Sequence, residues 1–122
     1  MPRVIHFEVP ADDPARAVKF YERALGWRFQ KWDGPTDYWL VETGAADQPG
    51  INGGLMPRQA PGAGTVNVVD VVSVDDAQRK IEAAGGSTVV PKMAVPGIGW
   101  VAYFTDTEQN MFGVMQADPA AH

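Results

Sequence analysis

Apolar and polar residues alternate at the start of the chain. In residues 4–9, VIHFEV, the side chains Ile5, Phe7 and Val9 interleave with His6 and Glu8, the period of a strand with one buried face. The period then changes. Asp13 suits an N-cap, Pro14 a first helical position and Gly26 a left-handed stop. Between them Ala17, Tyr21 and Leu25 share a face, with Val18 and Ala24 beside it. Strand-like runs follow over 27–32, 37–42 and 51–56, separated by the turn-forming segments 33–35 and 44–50.

The whole pattern then recurs about 60 positions later. Residues 66–71, VNVVDV, repeat the opening strand. Ser73 and Asp76 approximate a capping box, and Ala77, Ile81 and Ala84 form an apolar stripe that Gly85-Gly86 ends. Strand-like runs at 88–92, 100–105 and 111–114 complete the second copy. The expected fold class is therefore α+β: two tandem βαβββ modules, residues 1–57 and 65–117, in one domain. The Pro/Gly-rich stretch 58–64 is the linker and 118–122 a loose tail. Each helix leaves one sheet face bare, so a cupped, barrel-like mixed sheet with the helices outside and a small-molecule pocket between the modules is expected.

Composition narrows the function classes. With 45% hydrophobic residues over 122 positions, the chain can bury a core without staples. It has no cysteine, which removes disulfides, thiolate metal sites and a thiol nucleophile, and is compatible with a reducing cytoplasm. A net charge of −5 with scattered basic residues argues against a nucleic-acid partner. No apolar run approaches the roughly 20 residues that cross a bilayer. A cytoplasmic protein with neither nucleic-acid nor membrane partners is expected.

Residues 5–26, with His6 on the strand, Asp13 at the cap and Phe20-Tyr21 on the helix, resemble the opening module of vicinal-oxygen-chelate proteins, the group of glyoxalase I and bleomycin-resistance proteins. Residues 99–113, GWVAYFTDTEQNMFG, resemble its closing hairpin. The resemblance implies the doubled fold and a homodimer. For metal-dependent members it implies four ligand side chains, one from each of four strands, around an octahedral ion. His6 matches the first of these positions. The others fall at Val66 or Asn67, at Gly113 and near Gly53, none a usual ligand. No metal and no other cofactor is therefore expected, and neither metal-dependent glyoxalase I nor ring-cleaving dioxygenase activity.

Three uses of His6 remain open: a structural strand residue, a proton carrier or hydrogen-bond donor in a pocket, and a lone metal ligand. Glu8 shares its face and can poise it as a base. Asp70 interrupts an apolar run and needs a partner, water or a polar pocket; it joins the pair if the first strands of the two modules are neighbours. Tyr38, Trp39, Trp100 and Tyr103 are the candidate ligand-binding aromatics. The leading expectation is a glyoxalase-like binding protein for a small molecule. The alternative is a lyase or isomerase in which His6, with Glu8 or Asp70, is the acid–base group.

Overall fold

A computed structural model describes residues 2–122. It divides the chain into two compact units, one of residues His6–Thr65 and one of the residues ahead of His6 with Val66–His122. In the first unit β1 (Val4–Ala11, shared at its start with the other unit) leads into α1 (Pro14–Leu25), followed by β2 (Arg28–Lys31), β3 (Trp39–Glu42) and β4 (Gly53–Pro57). The strands lie in the order β2-β3-β4-β1. β1 and β4 run parallel, Phe7 opposite Gly53 and Val9 opposite Leu55, and the other neighbours are antiparallel.

The helix forms where its caps require. Asp13 accepts the Arg16 N–H at 3.2 Å, and Gly26 adopts φ 71, a conformation available to glycine at no steric cost. Ala17, Val18 and Tyr21 pack on a core of Ala11, Val41 and Leu55 that also receives Phe7, Phe29 and Trp39. Tyr21 stacks on Trp27 with ring centroids 4.9 Å apart. Leu25 does not join this stripe and is 57% exposed: it is the last helical residue, and Gly26 turns the chain away behind it.

The second unit repeats the wiring. β5 (Val66–Asp70), α2 (Val74–Ala83), β6 (Ser87–Val95), β7 (Gly99–Thr105) and β8 (Met111–Ala117) give the strand order β5-β8-β7-β6. Again the first and last strands are parallel, Val68 opposite Gly113, and the rest antiparallel. Ser73 caps α2 by accepting the Asp76 N–H at 3.1 Å. Val74, Ala102, Phe104 and Val114 form the core, with Ala77, Ile81 and Trp100 packed against it. Ala84, expected in the buried stripe, is instead the exposed C-cap. β6 is longer than the sequence suggests and contains Pro91; it pairs only with β7, and an edge strand tolerates a missing N–H.

The tail corrects the sequence reading more sharply. It is docked, not loose. The Trp100 indole donates to Asp118 at 3.0 Å, Gly97 donates to the Ala121 carbonyl at 3.0 Å, and Ala121 is only 4% exposed. The indole hydrogen bond is the largest cause holding the Asp118 carboxyl below its usual range.

Candidate functional site

Strand alternation sorts the first unit into two faces. Phe7, Val9 and Ala11 of β1 face the helix and core, so His6 and Glu8 project to the opposite, helix-free face. On β3 the same alternation sends Trp39 and Val41 to the core and leaves Leu40, with Tyr38 just ahead of the strand, on the helix-free side.

There the Tyr38 hydroxyl lies between the other two side chains. It is 2.7 Å from His6 Nε2 and donates to Glu8 Oε2 at 2.9 Å, while Nε2 and Oε2 are 4.0 Å apart with side chains 27% and 11% exposed. A phenol has one proton. Because that proton goes to Glu8, the Nε2–H of His6 is the donor to Tyr38, and Nδ1 is the ring's basic atom. Burial holds the imidazole below its usual value of 6.5, with the Glu8 charge pulling less strongly the other way. His6 is thus neutral at pH 7. An imidazole, a phenol and a carboxylate in one hydrogen-bonded series can accept a proton at one end and store it at the other.

Two further residues shape this group. Gly54 of β4 lies under Tyr38: a Cβ there would stand 1.7 Å from the hydroxyl oxygen, so only glycine admits the phenol. Trp32 meets Tyr38 edge-on, centroids 6.2 Å apart and planes at 77°, and its ring lies over Gly34, where a Cβ would approach to 2.2 Å. Sequence reasoning placed neither in the site. The Gly53-Gly54 pair was a signal for close approach, without indicating which ring would approach.

The remaining candidates lie elsewhere. Asp70 is exposed, and its backbone N–H donates to the Arg3 carbonyl at 2.9 Å. Trp39 packs on the first core, with the Lys31 ammonium 5.3 Å from its ring centroid. Trp100 packs on the second core, under the Lys92 ammonium at 4.8 Å. Tyr103 lies on the helix-free face of β7, its ring 3.0 Å from where a Gly113 Cβ would stand. A surface concavity of about 640 Å³ lies on α1, lined by Asp13, Arg16, Lys19, Phe20 and Arg23 among others. All its walls belong to one helix, so it is a furrow between long solvated side chains, and the buried hydrogen-bonded group is the stronger candidate.

A cation centre of the kind the resemblance implies does not fit these residues. Among the described residues no three His, Cys, Asp or Glu side chains converge. His6 and Glu8 are two donors, already bonded to a phenol, and glycine has no side chain to coordinate.

Residues 3–44 match a family described as bleomycin resistance protein-like N-terminal. No curated protein matches the sequence. Among solved structures, Streptomyces coelicolor methylmalonyl-CoA epimerase in complex with 2-nitronate-propionyl-CoA is 13% identical, covers 98% of this chain and 97% of its own, and has a TM-score of 0.71. The Mycobacterium tuberculosis methylmalonyl-CoA epimerase is 15% identical over 94% of this chain and 87% of its own, at 0.67. A Legionella pneumophila structure named as an NAD-dependent benzaldehyde dehydrogenase is 17% identical over 93% and 98%, at 0.65. Such different names on one scaffold carry fold and not chemistry. The first module, residues 3–44, is thus similar in sequence to the bleomycin resistance protein-like N-terminal family, and the fold of the chain is similar to that of the methylmalonyl-CoA epimerases.

Proposed function

We propose that the chain is a metal-independent isomerase, epimerase or lyase that moves a proton on a small molecule with an acidic C–H beside a carbonyl. The hydrogen-bonded series His6–Tyr38–Glu8 is the observation that carries this. His6 Nδ1 takes the substrate proton. As it does so, Nε2–H passes its proton to the Tyr38 oxygen, and the Tyr38 proton moves to Glu8. The net change is one proton from carbon to carboxylate, with the imidazole neutral again in its other tautomer; the reverse sequence returns the proton to product. Two solved structures of similar fold are methylmalonyl-CoA epimerases, one with a nitronate analogue bound, which supports an acyl thioester or similar carbonyl compound as the substrate class. On this proposal the ligand rests on the helix-free face of the first unit, against Tyr38. The protein works as a cytoplasmic homodimer without nucleic-acid or membrane partners, and sedimentation velocity that found only monomer at micromolar concentration would remove the dimer.

A second function is sequestration of a flat molecule without turnover, as the match to the bleomycin resistance protein-like family favours. It is weakened because Trp39 and Trp100, the larger candidate stacking surfaces, pack against cores. Deuterium exchange into a panel of 2-substituted acyl-CoA esters and α-hydroxyketones in D2O, followed by NMR, separates the two. His6→Ala is expected to slow exchange by roughly 10²-fold or more. Bleomycin binding of equal strength in the two proteins, with no exchange in either, would instead establish sequestration.

A further inference from the structure

We infer that the outward face of α1 is a docking surface for an acidic protein segment, held by Arg16, Lys19 and Arg23 and by the ring of Phe20. In the sequence these cations are scattered. At 3.6 residues per turn they fall within an arc of about 60°, opposite Ala17, Val18 and Tyr21, which pack on the core. All three cations and Phe20 are exposed, and they border the furrow of about 640 Å³ on this helix, with the small Ala15 beside them. The stripe lies on the helical side of the first unit, away from His6, Tyr38 and Glu8, so it stands apart from the proton-transfer proposal.

Two observations separate this stripe from an ordinary solvated face. The first is charge left uncompensated. Among the described residues the ion pairs of Lys and Arg are Lys31–Asp37, Arg58–Asp12, Arg79–Asp76 and Lys92–Asp75, and no side chain of α1 takes part in one. The acids just ahead of the helix are engaged, Asp12 by the Arg58 side chain and Asp13 by the Arg16 backbone N–H. The second observation is the repeat. Sixty positions on, α2 has Asp76 where α1 has Arg16 and Arg79 where it has Lys19, and these two bond each other. Phe20 and Arg23 correspond to Lys80 and Ala83. Both helices pack on their cores through corresponding residues, Ala17 and Tyr21 in one, Ala77 and Ile81 in the other. Packing therefore does not require a basic, aromatic stripe.

The chemistry of the partner follows from the spacing. The cations extend over about 10 Å along the helix, too far for one carboxylate or phosphate to reach all three. Each exposed pair contributes little alone, so the partner carries several anionic groups in a row. Phe20, 60% exposed and set edge-on to Tyr21 with centroids 5.1 Å apart, adds an apolar contact from a ring already fixed on a helix. An acidic amphipathic helix meets both demands, with carboxylates along one face and an apolar residue over the ring. A bilayer or a nucleic acid fits less well. Three cations are fewer than the roughly four to eight of a lipid-binding cluster, and a chain of net charge −5 repels an extended polyanion.

The test uses the whole isotope-labelled chain and a synthetic helical peptide of Glu, Leu and Ala, with a counterpart in which every Glu is Gln. At low salt the acidic peptide is expected to shift the NMR signals of Arg16, Lys19, Phe20 and Arg23, with a Kd below about 1 mM. Replacing all three cations by Gln (Arg16→Gln, Lys19→Gln, Arg23→Gln) is expected to weaken binding at least about tenfold, and Phe20→Ala at least about threefold. Raising the salt from about 50 mM to about 0.5 M should weaken it about as much as the triple variant does. The four positions are exposed, and unchanged signals elsewhere in the spectrum verify that each variant is folded. No shift on α1, equal binding of the Gln peptide, or an unaffected triple variant would overturn the inference. So would tighter binding at the same stripe by phosphatidylserine vesicles or a single-stranded oligonucleotide.

Discussion

The neutral imidazole of His6 has a consequence for pH that does not need a substrate. Its folded value lies below 6.5, chiefly because burial penalises the charged ring. Between the folded value and about 6.5 the unfolded chain binds more protons, so stability rises with pH there. The contribution is complete above the unfolded value and is lost as pH falls through the folded one. Urea denaturation at several pH values between 5 and 7.5 is expected to show this slope in the wild type and a smaller one in His6→Gln. Equal slopes would mean that His6 is not the group titrating. The same depression keeps Nδ1 available as a base at and below neutral pH, so the acid limb of any proton-transfer rate should fall below pH 6.5. Asp106 also titrates low, because the Asn110 and Glu108 backbone N–H groups bond its carboxylate; it organises the β7–β8 turn, where Gln109 takes φ 68.

At the scale of elements, the helices were legible because their ends are written in local chemistry. Asp13→Ala is expected to destabilise the protein by about 1 kcal/mol through the lost cap, whereas Leu25→Ala, exposed at the end of α1, should change stability by less than about 0.5 kcal/mol. Thermal denaturation of the two variants checks the contrast, and a larger loss in Leu25→Ala would show that the apolar stripe runs to the helix end after all. Strand limits were harder to place. Tyr38, Ile51 and Asn52 lie outside the strands because pairing partners decide where a ladder begins, and Thr43 bonds the Asn52 side chain and Ile51 carbonyl at that point instead. The tail was read as loose from its composition alone. Its anchor is a single Asp118 reaching Trp100 across 18 positions of sequence, a contact no local pattern announces.

For the whole molecule, each unit has its own apolar centre, and the two repeats of the sequence correspond to two repeats of the fold. Phe104 and Leu55 are completely buried. Phe104→Ala is expected to cost about 3–5 kcal/mol and Leu55→Ala about 2–5 kcal/mol, the transfer free energy of the lost atoms plus that of the cavity left behind. Chemical denaturation measures both; a loss below about 1 kcal/mol at either site would mean that its surroundings collapse into the space. No helix among the described residues is long and apolar enough to cross a membrane.

The sequence by itself determined the doubled βαβββ pattern, the helix caps, the shared face of His6 and Glu8 and the shortage of ligand side chains, because each follows from period, from local hydrogen bonding or from residue type. Only the tertiary structure decided that Tyr38, some 30 positions from either partner, closes the gap between them. It also decided that Trp39 and Trp100 serve the cores and that Gly54, not Gly53, opens onto the site. Which of two alternating faces a side chain joins depends on where the helix packs and on strand register. Both are set by burial summed over a whole unit, a quantity no short stretch of sequence contains.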